Sequence, residues 1–330
     1  MATTQAQPEA FTCGAITLVR GHRQGKYPYC HTLLIRDEVL AVIDPSADKA
    51  TCRRLAQEPS LTAVLVSHFH EDHQKYLTFF PDERVWVPAA EADAFASLAG
   101  VFALMGLEDP AYLAYWQKTL LEEFHFRARP QVKTFGDGCE FTFGRTRLQV
   151  LHTPGHTPGH SCFYFPHESI LYLADIDLTS FGPWYGDRAS DLEALLASLQ
   201  RLAEIPARLY LTAHGQGIFP AEAGRQALRQ FRRVIYDREA ELLHRLARPR
   251  SLPELVQERL IYRKPLEPKF VYDHIERQMI GKHLERLLKA GLIRETEDGY
   301  VATGRSHESP ADGPAERLVP DLLQSGSAVD

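Results

Sequence analysis

The sequence predicts an α/β fold in which packed sheets are flanked by helices, followed by a smaller and mostly helical segment. Three observations carry this reading: short β-rich apolar runs recur between residues 16 and 211, amphipathic stretches lie between some of them, and the composition changes after Pro220.

Taken in order, residues 16–19, 32–35, 39–43, 63–66 and 85–87 are short and rich in aliphatic and β-branched side chains, as strands require. A helix is expected over 47–57. Residues 90–126 form a longer helical stretch broken near Gly106 and Pro110, because glycine ends helices and proline cannot continue one. Its apolar side chains, among them Phe95, Phe102, Tyr112 and Trp116, suit a cap packed on the core and a lid shaping a pocket equally well. Five further strands are expected at 141–143, 148–151, 162–165, 170–173 and 209–211. Before the last of them, 191–203 repeats Leu192, Leu195, Leu196 and Leu199 at helical spacing, with Asp191 near its start.

Beyond Pro220, helices are expected over 221–247, over 251–262 from the start signal Ser251-Leu252-Pro253-Glu254, and over about 272–290, ending at Gly291. Residues 292–295 and 300–302 then flank Asp298-Gly299, a strong hairpin turn. Three helices and a hairpin make a winged-helix pattern. The expected division is therefore a catalytic domain over 1–220, a winged-helix-like domain over 221–304, and a disordered tail over 305–330, rich in Ser, Pro, Gly, Asp and Glu.

Composition narrows the class. The content is 44% hydrophobic and 24% charged, as in ordinary globular proteins, and the net charge of −6 gives no global basic signature for nucleic acid. Met1 to Ala10 is polar with no apolar core, which argues against a secretory leader, and no run approaches the length needed to span a bilayer. Cys13, Cys30, Cys52, Cys139 and Cys162 are scattered and odd in number, which suits reduced thiols in a cytoplasmic protein.

The chemistry is concentrated where strands end. The run His68-Phe69-His70-Glu71-Asp72-His73 follows the apolar strand at 63–66 and packs metal-ligand types into six residues. The strand at 148–151 leads into His152-Thr153-Pro154-Gly155-His156-Thr157-Pro158-Gly159-His160. That at 170–173 leads through Ala174 to Asp175, and that at 209–211 leads to His214-Gly215. Four strands ending in ligand chemistry are what one convergent site at a common sheet edge requires. Glu71 is expected to be solvated, His152 to brace a turn, and Asp177 to orient a ligand or sit on the surface.

This set, His-x-His-x-Asp-His, then Thr-Pro-Gly-His, then a strand-terminal Asp and a late His-Gly, resembles the metallo-β-lactamase superfamily over roughly residues 12–220. The resemblance implies a four-layer αββα sandwich, two mixed sheets face to face between helical layers. It also implies two divalent ions, zinc above all, with iron or manganese accepted by the same donors. Carried over by motif, His68, His70 and His156 hold one ion, Asp72, His73 and His214 hold the other, and Asp175 bridges them. Asp72 is also counted catalytic. Two departures stand out: Gln74-Lys75-Tyr76 lies where many relatives carry glycine, and Leu-Ala-Asp at Asp175 stands where Gly-Asp is commoner.

The implied reaction is hydrolysis of an ester or thioester by a metal-bridging hydroxide, on a hydroxyacylglutathione or acyl-CoA type of substrate, as in the glyoxalase II branch. His160, Trp184 and Tyr185 are the candidate substrate contacts, the aromatic pair serving as a pocket wall or as an apolar plug. Two alternatives remain open. One is a single-strand endoribonuclease, suggested by His283-Leu284-Glu285-Arg286-Leu287 in the appended segment and by 11 Arg or Lys against 5 Asp or Glu across 225–264, a bias able to grip RNA phosphates. The other is a persulfide dioxygenase holding a single iron. The appended segment and the helical stretch are the surfaces on which a homodimer would form.

Overall fold

Residues 10–304 are described by a computed structural model; the tail expected at 305–330 lies outside them. The first sheet runs in sequence order: β1 (Ala10–Cys13), β2 (Ile16–Val19), β3 (Thr32–Arg36), β4 (Leu40–Ile43), β5 (Leu61–Leu65), β6 (Val85–Pro88) and β7 (Lys133–Phe135). Its first four strands are antiparallel, and β4 through β7 are parallel. The second sheet holds β8 (Glu140–Phe143), β9 (Thr146–His152), β10 (Ser161–Phe165), β11 (Ile170–Tyr172), β12 (Leu209–Leu211) and β13 (Ile218–Pro220), in that spatial order. Here only β11 and β12 are parallel neighbours. The ten strands expected from the sequence are all present; β1, β7 and β13 are additional, short and at or next to sheet edges, where little burial marks them.

Period-two alternation builds the layers. On β5, Ala63 and Leu65 face the second sheet, where Leu33, Ile43, Val150, Phe163 and Tyr172 fill the same cluster. Val64 and Val66 face the opposite way, into a cluster with Cys52 and Leu55 of α1 (Lys49–Ala56) and with Phe95, Val101, Tyr112 and Trp116. Each fully buried aliphatic or aromatic side chain contributes roughly 1.5–3 kcal/mol, so the two faces of this sheet hold the layers together. Those last four residues come from α2 (Ala92–Ala96), α3 (Leu98–Met105) and α4 (Pro110–Glu122). The break between α3 and α4 falls where the sequence predicts it: Gly106 caps α3 in a left-handed conformation, and Asp109 caps α4 with Pro110 in its first turn.

The outer face of the second sheet is covered by α5 (Leu192–Ala203), α6 (Ala221–Arg245), α7 (Leu252–Gln257) and α8 (Lys269–Lys289), with the hairpin β14 (Ile293–Thr296) and β15 (Gly299–Ala302) beyond. Leu195 and Leu199, Leu228 and Ile235, and Met279 and Leu284 join Leu171 and Tyr210 in one cluster, completing the four-layer αββα sandwich. At its start α8 reaches across to the other layer, where Val271 packs with α4. The helix expected over 251–262 ends early. The backbone N–H groups of Ile261 and Tyr262 donate to the buried Glu276 carboxylate at 2.7 and 3.2 Å, which holds residues 258–268 as a loop. No described helix is long and apolar enough to cross a membrane.

Candidate metal centre

β9 runs parallel to β11 and β12, since β10 reverses twice between them, so their carboxyl ends meet at one edge of the second sheet. The carboxyl end of β5 meets them from the first sheet: Ser161 N donates to Ser67 O at 3.1 Å. His68, His70, His156 and Asp175 form one group of converging donor atoms, and Asp72, His73 and His214 form a second. All seven expected ligands are thus brought together.

Asp175 stands between the groups with one oxygen toward each. Its Oδ2 is 3.2 Å from His156 Nε2 and 3.7 Å from His68 Nε2; its Oδ1 is 2.7 Å from His73 Nε2 and 3.1 Å from His214 Nε2. Asp72 Oδ2 lies 3.5 Å from His214 Nε2. Ala174, just before, has φ of 48°, a left-handed conformation that costs a Cβ-bearing residue about 1 kcal/mol and accounts for the commoner glycine there.

At every imidazole in the two groups except His68, a partner on the far side orients the ring. His156 Nδ1 donates to the Trp184 carbonyl at 2.9 Å, and His70 Nε2 faces the Asp187 carboxylate at 2.7 Å. Both protons therefore point outward. The remaining lone pairs, on His156 Nε2 and His70 Nδ1, lie 3.0 Å apart. Likewise His73 Nδ1 faces Asp44 Oδ2 at 3.0 Å and His214 Nδ1 donates to the Gly25 carbonyl, leaving the two Nε2 atoms 3.3 Å apart. Two bare lone pairs at such distances repel, so a cation, either a proton or a metal ion, belongs between them. Asp175 Oδ1 is buried and accepts no well-aligned hydrogen bond. The donor set, imidazole nitrogens and carboxylate oxygens braced from behind, fits divalent metal ions.

Electrostatics agree. Burial drives the His68 imidazole well below its ordinary pKa. At His70 burial acts the same way, but the Asp187 carboxylate overrides it and holds the group at about 9. His214 is likewise held at about 9, with Asp175 overcoming burial. Buried carboxylates thus give the site a potential that favours positive charge.

The candidate substrate contacts fare differently. Trp184 lines a cavity of about 720 Å³ that opens on His70, His156, Asp175 and His214. Its ring stands edge-on to His70, with centroids 5.3 Å apart, and its Nε1 donates to the Tyr262 hydroxyl at 3.1 Å. Tyr185 and His160 are fully buried and line no part of this cavity. The Tyr185 hydroxyl turns away to His283 Nε2 at 2.6 Å and Arg238 Nη1 at 2.9 Å. His160 sits beneath the site, where its Nε2 accepts the Asp175 N–H at 3.2 Å; burial, reinforced by His156, lowers its pKa to about 3. Glu71 is not solvated: it is buried, accepts the Tyr27 hydroxyl at 2.9 Å, and is raised to about 7 by burial and by Asp72. His152 braces its turn through the Pro158 carbonyl at 2.8 Å, and Asp177 accepts the backbone and hydroxyl of Thr179 at 3.0 Å each.

Lys75, in the departure after His73, does not face the cavity. Its ammonium caps the end of α4 through the Glu123 carbonyl at 3.0 Å and lies over the Phe124 ring at 4.3 Å. The basic bias of 225–264 is largely spent on internal contacts. Arg225 pairs with Glu222, Arg245 with Glu241 and Glu258, Arg259 with Asp273, and Arg263 with Glu241. The buried Arg238 donates to the Phe181 and Pro183 carbonyls, each at 2.6 Å.

Several important residues have no signal in the sequence reading. Asp187 and the cavity-lining Tyr262, Val271 and Ile275 become relevant only through long-range packing. Asp44 could have been found: it ends β4 just as Asp175 follows β11. It is fully buried, with Ser67, His73 and the Tyr172 hydroxyl around it.

The sequence pattern described as "Metallo-beta-lactamase superfamily" matches residues 28–214, more than half of the chain, and the chain belongs to that superfamily. A probable polyketide biosynthesis zinc-dependent hydrolase of Bacillus velezensis is 27% identical over 54% of this chain and 68% of that protein. A hydroxyacylglutathione hydrolase of Rhizobium etli is 37% identical over 22% of this chain, and one of Aeromonas hydrophila is 28% identical over 50%. The matched segments span only 28% and 52% of those two hydrolases. Among solved structures, a metallo-beta-lactamase family protein of Thermus thermophilus shares the fold with a TM-score of 0.65 at 23% identity, covering 88% of this chain and 99% of that one. The fold and the converging His/Asp donor set agree with that membership.

Proposed function

We propose that this chain hydrolyses an ester or thioester of a small-molecule substrate at a dinuclear centre, with zinc in both positions. The observation that carries the reading is Asp175, placed with one oxygen toward each of two ligand groups at the floor of a largely apolar cavity. His68, His70 and His156 would hold one ion and Asp72, His73 and His214 the other, with Asp175 shared. Bound there, the ions supply a water deprotonated near neutral pH and an electrophilic partner for the scissile carbonyl oxygen.

The chain's own residues contribute orientation and exclusion of solvent. Asp187, Asp44 and the Trp184 and Gly25 carbonyls hold four imidazoles with their lone pairs inward. Asp72, counted as catalytic, places a carboxylate oxygen beside His214 on the cavity side, where it can orient the attacking water. Trp184 closes the floor above His70 and His156. In net terms water forms a C–O bond to the acyl carbon, the C–S or C–O bond breaks, and the leaving group takes up a proton.

A panel of S-acyl glutathione and acyl-CoA thioesters, run beside single-stranded RNA and glutathione persulfide with oxygen, tests the reading. Turnover of thioesters that disappears with chelation is expected. Cleavage of RNA alone, or oxygen consumption with persulfide alone, overturns it.

A further inference from the structure

The walls of the cavity are built from two elements far apart in the sequence. Met105 and Leu107 at the end of α3, and Tyr112 and Trp116 on α4, face Val271 and Ile275 of α8 across it. These side chains are themselves part of the apolar packing between α4 and α8: the tilted rings of Tyr112 and His274 lie 4.7 Å apart, and Val271 is 5% exposed. A chamber of aromatic and branched aliphatic side chains offers little to a short polar acyl group such as a hydroxyacyl unit. It offers a great deal to a longer hydrocarbon or aromatic one.

The same cavity carries a second chemistry. Arg23 and Lys26, from the loop whose Gly25 carbonyl braces His214, and Lys264, from the loop before α8, all line it and all are exposed. Among the described residues none of their side chains enters a hydrogen bond or ion pair, in contrast to Arg225 and Arg245 of α6 and Arg259 in the loop after α7, which are paired with carboxylates. Cations left without acidic partners around an apolar chamber complement a ligand with an anionic head and an apolar tail.

We infer that the substrate is a thioester joining a medium-length or aromatic acyl group, seated between α4 and α8, to a phosphate-bearing carrier held by Arg23, Lys26 and Lys264. The inference rests on the hydrolase reading above and names the substrate class for that same site.

Two measurements test it. The first is calorimetric binding of S-alkyl-CoA thioethers, which cannot be hydrolysed and so report on the chamber without turnover. Affinity is expected to rise about fourfold per methylene, the equivalent of about 0.8 kcal/mol, until the chamber is full. Ile275→Trp should flatten that slope, with the variant's metal content measured alongside to show that the floor is intact. Lys26→Glu combined with Lys264→Glu should weaken binding about two- to fivefold per charge and reduce its salt dependence.

The second is kcat/KM for C2 to C12 acyl-CoA esters against the same acyl groups on uncharged N-acetylcysteamine and against S-lactoylglutathione. Preference for long-chain CoA esters is expected. A flat chain-length series in both measurements, or binding of thioethers indifferent to the carrier's charge, overturns the inference while leaving hydrolysis standing. Tight chain-dependent binding with no turnover of any thioester sinks the hydrolase reading instead.

Discussion

The floor and the walls of the cavity obey different physics. The floor is polar, buried and over-determined: each imidazole but His68 is held from behind by a carboxylate or a backbone carbonyl, and Asp175 is fixed between two groups. The walls are apolar, carry few directional bonds, and come from helices separated by some 150 residues of chain. A hydrogen-bonded floor tolerates almost no change in geometry, because a displaced imidazole leaves a buried polar group unpaired. An apolar wall tolerates repacking at conserved volume. Chemistry and specificity should therefore separate under mutation.

The largest expected effect is on the floor. His156→Ala removes a donor from the first ligand group and should lower kcat/KM about a thousandfold, the loss of roughly 4 kcal/mol of transition-state stabilisation, together with one equivalent of bound metal. A variant that kept full activity would remove His156 from the site altogether. Next comes the bracing behind the floor. Asp187→Asn leaves every ligand in place but weakens the partner that orients His70, so metal affinity or activity should fall about 10- to 100-fold; metal titration against a competing chelator reads it directly.

A smaller effect is expected where floor and appended helices are joined. Arg238 of α6 ties down the 181–185 segment, His283 of α8 holds Tyr185, and Lys282 donates to the Asp187 carbonyl at 2.7 Å. Arg238→Met strands the Phe181 and Pro183 carbonyls, while the Tyr185 phenol keeps its bond to His283, at a cost of about 2–3 kcal/mol read in denaturant unfolding. The loop carrying Trp184 and Asp187 should shift with it, so kcat falls several-fold while His283, left in place, keeps the helices docked. Unchanged kcat with lowered stability would show that the network holds only the fold.

The same contrast explains what could be read without a structure. The seven floor residues are legible because they lie in short motifs, each ending a strand, and the strands announce themselves by apolar runs. Asp44 obeys the same rule. Asp187 does not, since its only claim is a contact with His70, 117 positions earlier. The walls are less legible still. Val271 and Ile275 look like ordinary core positions of an amphipathic helix, and the loop that ends α7 early depends on the buried Glu276 of the next helix. Tyr185 and His160 misled for the converse reason: a polar atom next to a site motif is satisfied as readily by a buried partner as by a ligand. The match of His283 to an RNA-cleaving group has a structural account too, a buried hydrogen bond to Tyr185.

The central claim is that one carboxylate is shared by two ion sites. Elemental analysis of the purified chain, with Asp175→Ala beside it, tests this most directly. Two equivalents of divalent metal per chain are predicted, with occupancy falling at both positions in the variant. A single iron per chain, retained at full occupancy by a His73→Ala variant, would contradict it.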